Sequence, residues 1–173
     1  HHVALIANTM IFDTYATVMR IPNSSHALRT ILERAIEDLE NVAADAQEDP
    51  DTLAVVVNTF CRLSNVVGNP GHPGFHDYAK GRELAGYATR LGEDLVQRYP
   101  SHAPGRLALS KAIFTSLTLC SDLVDAVQQL RRCVALRRSA VAALPGDVNA
   151  LWQLSHALVC LAEGLPAPAA EPL

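Results

Sequence analysis

The sequence predicts an all-α fold of about seven amphipathic helices in antiparallel pairs, stacked into an irregular solenoid. Three observations predict it. Apolar residues recur at helical spacing along most of the chain. No segment alternates with period two for long enough to make a strand. Shorter and longer helical segments follow one another with apolar positions in register, the pattern of stacked helical repeats.

The first helix is expected over about residues 3–20, where Leu5, Ile6, Met10, Ile11, Tyr15, Val18 and Met19 share a face. Pro22-Asn23-Ser24-Ser25 stops it and offers caps to a second helix, about 25–47. There Leu28, Ile31, Leu32, Ala35, Ile36, Leu39 and Val42 mark one face, with Arg29, Glu33, Glu37, Asp38 and Glu40 mostly opposite. Asp49-Pro50 opens a third helix, about 51–67, because an Asp cap accepts bonds from free helix amides and Pro at the first helical position loses no needed donor. The segment from Gly68 to Gly74 holds three Gly and two Pro and is expected to be a loop.

Helix four, about 75–98, carries Tyr78, Leu84, Tyr87, Ala88, Leu91 and Leu95 before Tyr99-Pro100 closes it. Helix five, about 103–120, carries Leu107, Leu109, Ile113, Phe114, Leu117 and Leu119. Helix six, about 122–143, carries Leu123, Val127, Leu130, Val134, Leu136 and Val141, and Pro145-Gly146 ends it. Helix seven, about 147–163, carries Val148, Leu151, Trp152, Leu154, Leu158 and Leu161. Residues 1–163 thus form one helical domain: an N-terminal pair over 1–47, repeats over 49–100 and 101–145, and a terminal helix over 146–163. A Pro- and Ala-rich tail, 164–173, is expected to be flexible.

Composition narrows the function. Hydrophobic residues make up 49% of the chain but aromatics only 5%, so the core must be built from Ala, Leu and Val on closely packed helices. A net charge of −4 with scattered Lys and Arg leaves no basic stripe to neutralise a phosphate backbone, and nucleic acid is not an expected partner. Apolar runs such as Val3-Ala4-Leu5-Ile6-Ala7 fall far short of the roughly 20 residues that cross a bilayer. The chain opens on His1-His2 and reads as a piece of a longer protein; these tag-like histidines are set aside from any metal argument.

A shift of 54 residues superposes Leu53 on Leu107, Phe60 on Phe114 and Leu63 on Leu117, and a further shift of 41 places Leu107 on Val148 and Leu117 on Leu158. Each helical pair leaves an apolar face open, so neighbouring pairs must stack to cover it.

These residues resemble the tetratricopeptide-like region found C-terminal to the kinase domain in many bacterial serine/threonine protein kinases, over nearly the whole chain. Leu5-Ile6-Ala7-Asn8-Thr9-Met10-Ile11-Phe12-Asp13 looks like that family's opening helix. Pro22-Asn23-Ser24-Ser25, Leu32-Glu33-Arg34-Ala35, Asp49-Pro50 and Leu63-Ser64-Asn65-Val66-Val67-Gly68-Asn69-Pro70 are similar to its later segments. Ser64 stands where the family has a Gly for close helix packing, and Ser155 where the repeat column expects a large aromatic. The resemblance implies a right-handed solenoid that senses or docks a protein, joined to the kinase by a juxtamembrane segment. A membrane helix ahead of residue 1 in the parent would place the domain outside the cytoplasm, the favoured expectation, with a cytoplasmic location as the alternative.

Catalysis is not expected from this chain. It contains no G-x-G-x-x-G loop, His-Arg-Asp triplet or Asp-Phe-Gly. Gly68, Gly71 and Gly74 follow no strand and precede no phosphate-loop Lys. His72, His76 and Asp77 lack a fourth zinc ligand, so neither metal nor cofactor is expected. Cys61, Cys120, Cys133 and Cys160 read as small buried hydrophobes, with a Cys120–Cys160 disulfide open in an oxidising compartment. Glu93-Asp94 reads as a solvated face, and Trp152 and the tyrosines read as core.

The shorter helices of such stacks line the inner surface. The repeat shifts give the columns Asn58/Ala112/Gln153, Cys61/Thr115/His156 and Arg62/Ser116/Ala157. Asn58, Arg62, Thr115, Gln153 and His156 are therefore the candidate contacts for a protein or peptide, or for a second copy of the chain, with Asn65 and Lys111 behind them. The competing functional readings are a small-molecule pocket between helices and a structural spacer.

Overall fold

In a computed structural model the described residues, 25–68, 77–119 and 123–164, are all-α. Six helices follow in order: α1 (Ser25–Asp45), α2 (Pro50–Gly68), α3 (Tyr78–Arg98), α4 (Ala103–Leu117), α5 (Leu123–Ala143) and α6 (Val148–Gly164). The helix expected over 3–20, the loop around His72 and His76, Cys120 and the tail beyond 164 lie outside the described residues.

Local chemistry explains most boundaries. Asp49 caps α2: its carboxylate accepts from the Thr52 amide at 3.0 Å and from the Thr52 hydroxyl at 2.6 Å, while Pro50 fills the first helical position. These bonds to Thr52 favour the ionised carboxylate and hold its pKa below the ordinary value. Helix α3 begins at Tyr78, three residues later than expected, because Asp77 acts as its cap and accepts from the Lys80 amide at 3.0 Å. Helix α4 ends at Leu117 rather than 120. There the chain tightens: Thr118 Oγ1 donates to the Thr115 carbonyl at 2.7 Å and the Leu119 amide to Ser116 at 3.1 Å. Gly146, at φ 91°, turns the chain between α5 and α6, and Asp147 then caps α6 through the Ala150 amide at 3.0 Å.

Each helix packs on its successor, and α2 also packs on α4. The main core joins α1 to α4 through Leu39, Leu53, Val56, Val57, Phe60, Leu63, Leu95 and Ala112. A smaller cluster of Leu109, Ile113 and Cys133 joins α4 to α5. Helices α2 and α3 approach each other closely at Gly68 and Gly81. A Cβ built on Gly81 would sit 2.6 Å from Gly68 Cα, so only glycine fits on both sides of that contact. Ser64, in place of the Gly that the resemblance leads one to expect, is fully buried and donates its hydroxyl to the Gly81 carbonyl at 2.8 Å. The close approach is thus made one helical turn further on.

Polar contacts fix the helix directions. Arg98 Nη1 and Tyr99 OH, at the end of α3, donate to the Gln47 carbonyl just before α2, so α3 ends where α2 begins. His102, capping α4, accepts from the Gly105 amide at Nδ1, leaving its Nε2 3.1 Å from Asp51 Oδ1. Helices α2 and α4 therefore start at the same end of the molecule and run side by side.

Candidate functional site

A groove of about 560 Å³ opens along α2, α4 and α6, with α5 behind it. It takes Asn58 and Asn65 from α2; Pro104, Leu107, Lys111, Phe114 and Thr115 from α4; Arg137 from α5; and Asn149, Trp152, Gln153 and His156 from α6, with Leu144 and Asp147 in the preceding turn. Its volume lies within the roughly 300–1,000 Å³ of small-ligand sites. A second crevice, between α1, α2 and the start of α3, holds only about 130 Å³.

Six of the seven residues expected on the inner face, namely Asn58, Asn65, Lys111, Thr115, Gln153 and His156, border this groove. Arg62 does not; it is exposed on α2. Their individual states differ. Asn58 donates to the Ala54 carbonyl at 2.9 Å, within its own helix. Thr115 is buried, and Cys61 is fully buried and outside the groove lining. Gln153 Oε1 is buried with no hydrogen-bond partner among the described residues.

One wall is aromatic. The Trp152 and His156 rings stack with centroids 5.5 Å apart and planes 3° from parallel, and the Phe114 ring lies tilted 5.1 Å from that of His156. Trp152 is 64% exposed, against the expectation that it belongs to the core. Tyr78, at 48%, departs in the same way. The apolar face expected for helix seven is also largely uncovered, since Val148, Leu151 and Leu158 are exposed while Ala150 and Ala157 are fully buried. The fully buried residues of α6 are small, while Leu154 and Leu161 are half-buried.

Behind Phe114 lies Arg137, which is 3% exposed. Its Nε donates to Ser110 Oγ at 3.0 Å, its Nη1 to the Gln153 carbonyl at 2.6 Å, and the guanidinium sits 5.4 Å from the Phe114 ring centre. Burial lowers its pKa, as it does that of the half-buried Lys111, where the Arg62 charge adds to the effect. Sequence reasoning missed Arg137, although a signal was present. With Cys133, Val134 and Ala140 it forms a helical stripe at spacings of one, three and three, so it is a lone charge on a packed face. Trp152 was also legible, because the shift of 41 residues that pairs Leu117 with Leu158 pairs Lys111 with Trp152.

Burial makes two of the thiols poor nucleophiles. Burial pushes Cys61 and Cys133 up to about 11, so both stay protonated at neutral pH. Cys160 is a free thiol 3.9 Å from His156 Nε2, and its expected partner Cys120 lies outside the described residues. Asp77, considered with His72 and His76 as a metal ligand, uses its carboxylate as the α3 cap. Glu93, expected to be simply solvated, pairs with Arg132 of α5 at 2.9 Å. Among the described residues no helix is long and apolar enough to cross a membrane. No family model matches this chain, and no curated protein matches it.

Proposed function

We propose that this chain is a non-catalytic interaction module, a right-handed tetratricopeptide-like solenoid whose inner groove holds a peptide or protein segment. In this reading, occupancy or self-association sets the activity of a serine/threonine kinase joined to it in a bacterial signalling protein. The observation that supports the reading is the convergence of Asn58, Asn65, Lys111, Thr115, Gln153 and His156, from three separate helices, on one groove. Amides and cations alternate there with Leu107, Phe114 and Trp152, a mixture suited to a backbone carrying varied side chains. In a parent with a membrane segment ahead of this domain the groove faces the extracytoplasmic side, which protease accessibility of the intact parent in spheroplasts would report.

Trp152 is the single tryptophan of the chain and borders the groove, so its emission reports occupancy directly. Titration with extended peptides should give a saturable emission change that the Gln153→Ala/His156→Ala variant loses. A flat response to every peptide, together with a monomer at all concentrations by light scattering, would sink the proposal. The groove volume favours one second reading, a small-molecule sensor. A metabolite that raises the melting midpoint while peptides leave it unchanged would replace the first reading with the second.

A further inference from the structure

Arg137 and Lys111 both border the groove, one from α5 and one from α4. Among the described residues neither forms an ion pair with a carboxylate. The acidic residue of the lining, Asp147, accepts from the Ala150 amide as the cap of α6. The Cys61 thiol beside Lys111 is protonated and supplies no counter-charge. Cations taken out of water without a counter-ion are costly, and that cost falls when an anion arrives. With two cations against the one carboxylate of Asp147, the lining carries a net positive charge in a chain whose net charge is −4.

Two further features bear on what kind of anion fits. The unpartnered Oε1 of Gln153 accepts hydrogen bonds, which an anionic group alone cannot supply but a peptide N–H can. The exposed Trp152 ring, held flat against His156, offers a platform for an apolar side chain next to the charge.

We propose that the groove selects acidic peptide segments, with Asp or Glu side chains placed on Arg137 and Lys111, a backbone N–H on Gln153 Oε1 and an apolar side chain on Trp152. This rests on the reading of the groove as a peptide-docking surface and names the chemistry of its ligand.

The test is an array of random eight-residue peptides, acetylated and amidated so that only side chains carry charge, probed with the full chain. Binders enriched in Asp and Glu are expected. Replacing their Glu by Gln should weaken binding at least about tenfold, the range of a lost charge-assisted hydrogen bond. Raising the salt should weaken binding as well. Lys111→Gln changes a half-exposed residue and should keep the wild-type melting midpoint while losing the preference for Glu over Gln. Arg137→Gln should lose it too, with circular dichroism checking that the helices remain. Binders enriched in neutral or basic sequences, or an acidic preference that survives in folded Lys111→Gln and Arg137→Gln, would overturn the inference and leave peptide docking standing. An array with no binders would overturn both the inference and peptide docking, leaving self-association to be decided by light scattering.

Discussion

Helices α2 and α6 begin alike and end up in opposite circumstances. Each has an Asp cap whose Oδ1 accepts, at 3.0 Å, from the amide three residues on, and each carries Leu and Val at helical spacing. Yet Leu53, Phe60 and Leu63 of α2 are 0% exposed. Their counterparts on α4, Leu107, Phe114 and Leu117, are half-buried. On α6 the same columns hold Val148 at 77%, an exposed Ser155, and Leu158 at 37%. The difference lies in the neighbours. Helix α2 is covered by α1, α3 and α4, whereas α6 packs mainly on α5. A repeat position is a place where burial is available, and the next helix decides whether it is used.

The largest test of that comparison is Phe60→Ala. It removes a fully buried ring whose centre is 4.7 Å from that of Tyr87, and should cost about 3–5 kcal/mol in chemical denaturation. A cost near that of a surface change would mean that the α2 core is not what holds the fold. Next comes Gly81→Ala, where the new Cβ meets Gly68 Cα and backbone must move. The expected loss is about 1–3 kcal/mol, and a neutral result would show that α2 and α3 are spaced more widely.

The two caps sharpen the contrast. Asp49→Ala should cost about 1 kcal/mol of global stability at neutral pH. Because the folded-state pKa of Asp49 is lowered, its contribution is present above the ordinary carboxylate value and is lost as pH falls through the folded one. The difference between wild type and Asp49→Ala should therefore shrink in acid, and a gap that stays constant down to pH 2 would contradict the cap. Asp147→Ala should instead raise amide exchange locally in the first turn of α6, with a smaller change in the global midpoint. The smallest effect is expected for Val148→Ser, within about 0.5 kcal/mol, since the side chain is 77% exposed. A larger loss would show that this face is covered in solution.

Much of the site was legible because helical repeats carry position information. Asn58 and Gln153 occupy one column and Thr115 and His156 another, so matching Leu53 to Leu107 and Leu107 to Val148 was enough to bring most of the groove together. Arg62 is not in the groove lining; it lies one residue beyond Cys61 and is exposed on α2. Arg137 was missed because a charge on a helix is ordinarily read as solvated, and only the partners Ser110, Gln153 and Phe114 make its burial tolerable.

The sequence by itself determined the all-α class, the starts of α2 and α6 at Asp49 and Asp147, and which residues share a helical face, since period and capping are local properties of a short stretch of chain. Tertiary structure alone decided which faces are covered. It buried Arg137, left Trp152 in the open, and brought Gly68 and Gly81 together where α2 and α3 meet. The physical reason is that periodicity states which side chains point the same way, while burial depends on what stands opposite them.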